Sequence, residues 1–376
     1  KFNRVYATHT HTTPSLVSSF SLCVKQLKKD CSLILDNNNN LSVIDVLNKS
    51  DIDTHLFSTQ GSLGGHNLAT KLMFNTKEKN FSSELEIKNS SRLLGNRYIP
   101  KFRDHEYFKK SFCSNNNFFE NKNSSLAILH SYAGHGQYDG YLHHLPQKSK
   151  FVYPKYVNEK NLLGKDYKNY KLYNEYDTAI EYIDSSLKEV MKCMGTRFKK
   201  NPQPMVFIYF SDHGESPATA RGHDSSRLTY EMLHVPFIVI FNDAAHKYYN
   251  NKIDELKKLK NKNLSLKFLG DLILYLNDID VLDTDNNVVY PSNNFKSLLS
   301  NYILDRKDLK GNISKLQTFW NYNANKIDDK FLEKNFLAQD TSITLWQLRN
   351  FLEKNNLSDQ KNIKNLICKH RANSFI

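Results

Sequence analysis

No apolar run in this 376-residue chain approaches the ~20 residues that a membrane-spanning helix needs. The longest runs, 205–210 and 235–241, are strand-sized. Cys23, Cys31, Cys113, Cys193 and Cys368 form no CxxC pair and no zinc-ribbon spacing. An odd count in so long a chain does not describe a disulfide scaffold, although Cys23 and Cys31 could pair. Cysteine usage therefore leaves the compartment open. There is no internal repeat, no nucleic-acid-binding motif and no signal peptide. The chain opens at Lys1, without Met, in what reads as the middle of a segment. We expect a piece of a longer protein.

What is present is ample core material. Hydrophobic residues make up 39% and aromatics 12%, with 23 Phe and 21 Tyr, which excludes wholesale disorder. Fifty-two basic against 39 acidic residues give a net charge of +13. Such a surface could meet nucleic acid, anionic lipid or phosphorylated substrates. The lysines are scattered, as in 252–262, and read as a solvated face, so no nucleic-acid partner is expected.

Short, continuously apolar stretches at 54–58, 126–132, 205–211 and 235–241 have the character of strands covered on both faces. Helical patterns at 14–27, 43–48, 174–194 and 264–276 alternate with them. Asn-rich stretches at 36–40, 115–117 and 121–125 read as surface loops. The alternation argues for an α/β layered fold with a mainly parallel sheet. From about residue 312 the pattern turns helical and polar. We expect one catalytic domain over 1–311 and a helical extension over 312–376 packed on it.

Four motifs carry chemistry. In Met205-Val-Phe-Ile-Tyr-Phe-Ser-Asp-His-Gly-Glu-Ser216 a strand runs straight into Asp212-His213-Gly214, where open α/β sheets bind ligands. Carboxylate and imidazole are zinc-ligand types, and Gly214 allows a sharp turn. The alternative is a strand-end cap beside a structural His. His9-Thr-His-Thr-Thr-Pro-Ser-Leu-Val-Ser-Ser-Phe20 places hydroxyls ahead of Pro14 at a helix start, where the helix field favours an alkoxide and binds phosphate. Helix capping alone would also explain it. His130-Ser-Tyr-Ala-Gly-His-Gly-Gln-Tyr138 and Arg221-Gly-His-Asp224 each hold a His in a Gly-flanked loop, His135 and His223. Either could be a structural histidine; together, beside an Asp-His pair, they argue for a metal or phosphate pocket.

The ordered set resembles the alkaline phosphatase superfamily, specifically the phosphoethanolamine transferases and their sulfatase-like relatives. Ser42-Val-Ile-Asp-Val-Leu47, Thr54-His-Leu-Phe-Ser-Thr-Gln60, Asn174-Glu-Tyr-Asp177 with Asp184, His234-Val-Pro236 and His370-Arg-Ala-Asn-Ser374 extend the likeness over most of the chain. The resemblance implies an α/β/α sandwich. It implies Thr12 as nucleophile, three residues before Ser15 and eight before Phe20, with Thr10 and Thr13 as competitors. Asp212 and His213 would bind, with Thr12, the zinc that activates it. His135 and His223 would hold the phosphoryl group or a second zinc, and Glu215 and Gly214 would support the set. One or two zinc ions are implied, or another divalent metal. Phosphoethanolamine would pass from phosphatidylethanolamine to Thr12 and then to lipid A, a glycan or another envelope acceptor. The implied location is the inner membrane, with the catalytic domain periplasmic and the anchoring N-terminal helices outside this sequence.

The chain also departs from these relatives. Their first zinc ligand is a Glu well upstream of the Thr, and no acidic residue precedes Thr12 here. Ser18 stands where lipid A-modifying members have a disulfide cysteine. Gln137-Tyr-Asp-Gly-Tyr141 replaces their Gly-Pro and Arg-Tyr-Pro, which leaves the acceptor open. A formylglycine sulfatase is disfavoured because no Cys or Ser is followed by x-Pro-x-Arg. A Thr-based phosphatase, phosphodiesterase or phosphoglycerol transferase is the competing expectation, and a non-catalytic basic binding module ranks last.

Overall fold

A computed structural model describes residues 1–20, 22, 42–59, 81–83, 91–94, 97–100, 104–115, 119, 124–136, 138, 165–217, 222–223, 230–282 and 288–290, together with the backbone of the helices and strands these include. The expected helical extension at 312–376 and the Cys23–Cys31 pairing lie outside the described residues.

The chain begins with strand β1 (Phe2–Tyr6) and turns into helix α1 (Thr12–Phe20). Helix α2 (Val43–Lys49) and strand β2 (Asp53–Ser58) follow, then short strands β3 (Phe81–Ser83), β4 (Ser91–Leu94) and β5 (Arg97–Pro100). Helix α3 (Asp104–Phe108) runs into a π-helical turn over Lys109–Cys113. Strand β6 (Ser125–His130) leads to the long helix α4 (Lys165–Lys200), strand β7 (Val206–Phe210) and strand β8 (His234–Phe241). Helices α5 (Asp243–Tyr248) and α6 (Asn250–Lys258), strand β9 (Leu264–Ser265), helix α7 (Phe268–Leu276) and the β10–β11 pair (Val281–Leu282, Val288–Tyr290) complete the order.

The strands form two main pieces of sheet. β3, β2 and β6 lie side by side and parallel, with Leu56 opposite Phe81 and Ile128. The other piece has the order β7-β8-β1-β9, in which β8 runs antiparallel to both β7 and β1 while β9 is parallel to β1. One reversed strand in an otherwise parallel set is a common form of α/β sheet. The expectation of an α/β fold holds. Two details differ from the sequence reading. β1 was not expected, because its Asn3 and Arg4 interrupt the apolar pattern of Phe2, Val5 and Tyr6. The run at 264–276 is not one helix: Leu264 and Ser265 pair with Val5 and Tyr6, so the chain is extended before α7 starts.

Local chemistry fixes the helix ends. Ser42 caps α2, accepting from the Ile44 amide at 3.1 Å, while Asp45 reaches back to the Ser42 amide at 3.4 Å. Asn242 caps α5 through the Ala245 amide at 2.8 Å. Its amide group also donates to the carbonyls of Phe198 and Gln203, both at 3.0 Å, tying the end of α4 to the approach to β7. Pro14 falls in the first turn of α1, where the missing N–H costs nothing.

One hydrophobic core joins Leu16, Val17 and Phe20 of α1, Ile44 and Leu47 of α2, Val5, Leu56 and Phe237 of the sheets, and Phe268, Leu269 and Leu272 of α7. A second gathers Phe57, Tyr107, Phe108, Phe112, Val190, Met194 and Phe198. Beside it Cys113 and Cys193 form a disulfide with Cα atoms 6.1 Å apart, closing an 80-residue separation. Arg197 donates to the Cys113 carbonyl at 2.7 Å and lies over the Phe119 ring at 4.8 Å. The bridge escaped sequence reading because its partners sit on separate elements with no telling spacing. Cross-linking a loop of that length restricts the unfolded chain by about 4 kcal/mol. Cys113→Ser is therefore expected to lower unfolding stability by about 2–4 kcal/mol, read from urea denaturation with and without reductant. An equal loss in Cys193→Ser, and no further loss in the double variant, would locate the effect in the bridge.

Candidate active site at the end of β7 and the start of α1

The apolar strand β7 delivers Ser211, Asp212 and His213 to one edge of the sheet. Gly214 then turns the chain against the segment before β8, its amide donating to the Met232 carbonyl at 2.8 Å. A Cβ on Gly214 would lie 1.8 Å from the Glu231 carbonyl oxygen, so only glycine fits this approach. Across the pocket, α1 starts at Thr12, with the Ser15 amide donating to the His11 carbonyl at 3.2 Å. The fully buried Ser15 hydroxyl donates to the main-chain oxygen of Asp212. That bond fastens the helix start to the strand end, and Thr12 Oγ1 comes to 3.4 Å from His213 Nε2.

Thr10 is fully buried, and its hydroxyl engages His11 Nδ1 at 3.0 Å. Of Thr10 and Thr12, only Thr12 meets His213. The Thr13 side chain lies outside the described residues.

His213, His223 and His135 are brought together, and His11 joins them. The ring of His223 lies 4.5 Å from that of His213, 5.0 Å from that of His11 and 5.6 Å from that of His135. Each ring is anchored at Nδ1. His213 Nδ1 meets the Gly214 carbonyl at 2.9 Å, and His223 Nδ1 meets Glu215 Oε1 at 2.7 Å. His135 Nδ1 meets the Tyr132 hydroxyl at 3.0 Å, with the two rings stacked. A carbonyl and a carboxylate can only accept, so Nδ1 carries the proton in His213 and His223 and Nε2 carries the lone pair. This is how ligating histidines are usually held.

Glu215 is buried with both oxygens engaged, Oε1 by His223 and Oε2 by the Tyr138 hydroxyl at 2.6 Å. Gly222 makes room for that bond: at its φ of +76° a Cβ would lie 2.0 Å from Glu215 Oε2 and 2.5 Å from the Tyr138 oxygen. Asp212 Oδ2, by contrast, is buried and accepts no hydrogen bond. His213 Nε2 lies 3.7 Å from it. A buried carboxylate oxygen without a donor is costly, and it is the feature a cation would satisfy. His213, Glu215 and His223 also present ligand atoms within 4.8 Å of one another. The donor set is nitrogen and carboxylate oxygen, which suits zinc.

A buried polar network builds the second wall. Asp104, at the start of α3, accepts from the Thr59 hydroxyl at 2.9 Å, the Tyr182 hydroxyl at 2.9 Å, the Tyr132 amide at 3.1 Å and the Ser131 hydroxyl. It thereby holds the loop between β6 and His135. Sequence reading missed Asp104, Tyr132, Tyr138 and His11. The available signals were the tyrosines beside the Gly-flanked His135 and the position of His11 directly before Thr12. His234, quoted with the motifs, turns out to serve the sheet: it meets the Asn3 carbonyl at 3.0 Å and lies against Tyr6.

Residues 1–266 match the family described as Sulfatase. The chain therefore belongs to the sulfatase family, and its fold is alkaline-phosphatase-like. Solved structures share that fold. The zinc complex of the C-terminal periplasmic domain of EptC from Escherichia coli is 19% identical, with TM-score 0.53 over 73% of this chain and 70% of that one. The soluble domain of lipooligosaccharide phosphoethanolamine transferase A from Neisseria meningitidis is 18% identical, with TM-score 0.54 over 81% and 82%. The integral membrane form of that enzyme is 17% identical, with TM-score 0.55 over 81% of this chain and 51% of its own. No curated protein sequence matches.

Burial holds the imidazoles of His130 and His135 below their ordinary pKa, with nearby carboxylates opposing only in part. Burial similarly lowers His9 to about 4. The unfolded chain protonates these groups near pH 6.5 and the folded chain at lower pH, so the unfolded state holds more protons in between. Stability is expected to fall as the pH drops below about 6.5. The urea midpoint at pH 7.5, 6.5 and 5.5 reads this, and His130→Gln should flatten the decline without removing it. A midpoint that rises on acidification would contradict the assignment.

Proposed function

We propose that this chain is the catalytic part of a zinc-dependent phosphoethanolamine transferase. The observation that carries the reading is Thr12 Oγ1 at the positive end of α1, 3.4 Å from His213 Nε2 and beside the donorless Asp212 carboxylate oxygen. Asp212, His213 and Thr12 would hold one zinc ion. His135 and His223 would bind the phosphoryl oxygens or a second ion. When bound, zinc lowers the pKa of a coordinated hydroxyl and offsets charge on phosphoryl oxygens.

The chain's own residues account for the rest. The Ser15 bond to the Asp212 backbone keeps Thr12 aimed at one point, which is positional catalysis. The start of α1 favours negative charge on Thr12 Oγ and on the bound phosphoryl group. Gly214 and Glu215, with Tyr138 behind it, orient His213 and His223. In the first half-reaction Thr12 Oγ bonds to the donor phosphorus while the bond from phosphorus to the glycerol oxygen breaks. The threonine proton is given up, and diacylglycerol leaves as its alcohol after taking one. In the second half an acceptor hydroxyl bonds to phosphorus, gives up its proton and releases Thr12 as the free hydroxyl.

The donor would be phosphatidylethanolamine and the acceptor lipid A, a glycan or another envelope molecule. The catalytic domain would lie in the periplasm, tethered to the inner membrane. The Cys113–Cys193 bridge supports an oxidising compartment. Among the described residues no helix is long and apolar enough to cross a membrane. The basic surface would favour anionic lipid by up to ~1 kcal/mol per well-placed Lys or Arg.

The test is the intact mass of the zinc-loaded chain after incubation with phosphatidylethanolamine. The parent should gain one phosphoethanolamine group, and Thr12→Ala should gain none and lose transfer by about 1,000-fold or more. An adduct that survives in Thr12→Ala moves the nucleophile. Free phosphate or free phosphoethanolamine without transfer to any acceptor makes the enzyme a hydrolase of the same fold.

A further inference from the structure

We propose that the Cys113–Cys193 disulfide acts on the active site through Asp104. The bridge and Tyr182 clamp one segment of chain to α4, that segment aims Asp104, and Asp104 positions the loop that carries His135. Reduction of the bridge would then slow phosphoryl transfer as well as lower stability. The effect on transfer rests on the function proposed above; the effect on the loop does not.

The first argument is the clamp. The chain from Asp104 to Cys113 runs without a break through α3 and the π-helical turn. At one end the Tyr182 hydroxyl accepts from the Asp104 amide at 2.8 Å and donates to Asp104 Oδ1 at 2.9 Å. At the other end Cys113 is bonded to Cys193. Tyr182 and Cys193 stand about three turns apart on one face of α4. Between the two ties Tyr107, Phe108 and Phe112 share a core with Val190 and Met194.

The second argument is what Asp104 holds. Its Oδ2 accepts from the Thr59 hydroxyl, the Ser131 hydroxyl and the Tyr132 amide. Ser131 Oγ in turn accepts from the Ala133 amide at 3.0 Å, and the Tyr132 carbonyl from the His135 amide at 3.2 Å. The turn into His135 therefore hangs from one carboxylate oxygen. Gly134 seats the same turn on α4: at its φ of +91° a Cβ would lie 2.7 Å from Cδ1 of Ile183, the neighbour of Tyr182.

The third argument is the π-helical turn. It closes its hydrogen bonds over five residues where an α turn uses four, a rare form that recurs at functional sites. Cys113 and Cys193 are partly exposed, so a dithiol can reach them. Each sulfur then takes one electron and one proton, the S–S bond breaks, and the dithiol becomes a disulfide. With its end released, the turn can relax to the α form. That rotates α3 against α4 and draws Asp104 off the Ser131 and Tyr132 donors.

The experiment compares the oxidised chain, the chain reduced with dithiothreitol, Cys113→Ser/Cys193→Ser and Tyr182→Phe. Hydrogen exchange is followed at times short against global unfolding. Peptides over 131–136 should exchange about 10-fold faster after reduction and in both variants, with 12–20 unchanged. Each form, freed of reductant, is then loaded with zinc and given phosphatidylethanolamine. The rate of adduct formation should fall about 10-fold at an unchanged final adduct per chain, as loss of position predicts and loss of folded protein does not. Reductant should leave the double serine variant unchanged and should change Tyr182→Phe less than it changes the parent. Exchange at 131–136 that ignores reduction would overturn the coupling. Faster exchange at 12–20 as well would make the bridge a contributor to overall stability alone. Full additivity of reduction with Tyr182→Phe would remove Asp104 from the route. An adduct rate unmoved while the loop exchanges faster would overturn the effect on transfer. No adduct in any form, with 131–136 responding as expected, would overturn the transferase reading and leave the coupling standing.

Discussion

The hydrogen bond from the Ser15 hydroxyl to the Asp212 main-chain oxygen is the join on which the site depends. Two elements nearly 200 residues apart in sequence meet there: a helix start that brings Thr12, and a strand end that brings Asp212 and His213. Neither side alone has a chemistry. A threonine at a helix start is a cap, and an Asp-His pair at a strand end is a turn. Ser15 sits one turn into α1, beyond Thr12, so its bond fixes both the position and the rotation of the helix. Behind it, Leu16, Val17 and Phe20 bury against the sheet and α7, so apolar packing loads the same contact from the other side.

The opposite wall is built on a different principle. Where α1 is held by apolar burial and one polar bond, the loop carrying His135 is held by a buried carboxylate. Asp104 gathers donors from the end of β2, from the loop after β6 and from α4. A buried charge is tolerable only when its oxygens are satisfied, and each donor drawn to Asp104 fixes a piece of the loop above it. Tyr132 is fixed twice, its amide bonded to Asp104 and its hydroxyl meeting His135. The wall is therefore stiff where His135 leaves it.

The strands were legible in the sequence because their apolar runs are continuous, as in 54–58 and 205–211, although β7 pairs antiparallel with β8. Helix α4 was legible through its apolar period from 174, although its first quarter, from Lys165, is too polar to announce itself. The candidate site was legible as an ordered set of motifs, and Thr12, Asp212, His213, His135 and His223 do converge. What escaped was relational. Nothing local marks Asp104 as the organiser of a loop that begins 27 residues later, or Tyr138 as the partner of Glu215. β1 escaped because its register comes from Phe237, Val235 and Leu264, not from its own alternation. His11 escaped because a histidine beside threonines resembles any polar turn until the fold sets it against His223.

The two walls differ in how well their polar groups are served, and that difference locates the chemistry. Asp104 and Glu215 are buried carboxylates whose oxygens are bonded, and both act on something else: a loop and an imidazole. Asp212, at the end of β7, instead keeps a buried oxygen with no donor. A few ångströms away, His213 and His223 turn their proton-bearing nitrogens outward to a carbonyl and a carboxylate. Leaving the Asp212 oxygen without a donor works against the fold, since an unsatisfied buried acceptor costs about 1–3 kcal/mol. Folds keep such an arrangement where a ligand repays it. Only a cation is attracted by all of these groups at once, and Thr12 is the one hydroxyl shown to face the same point.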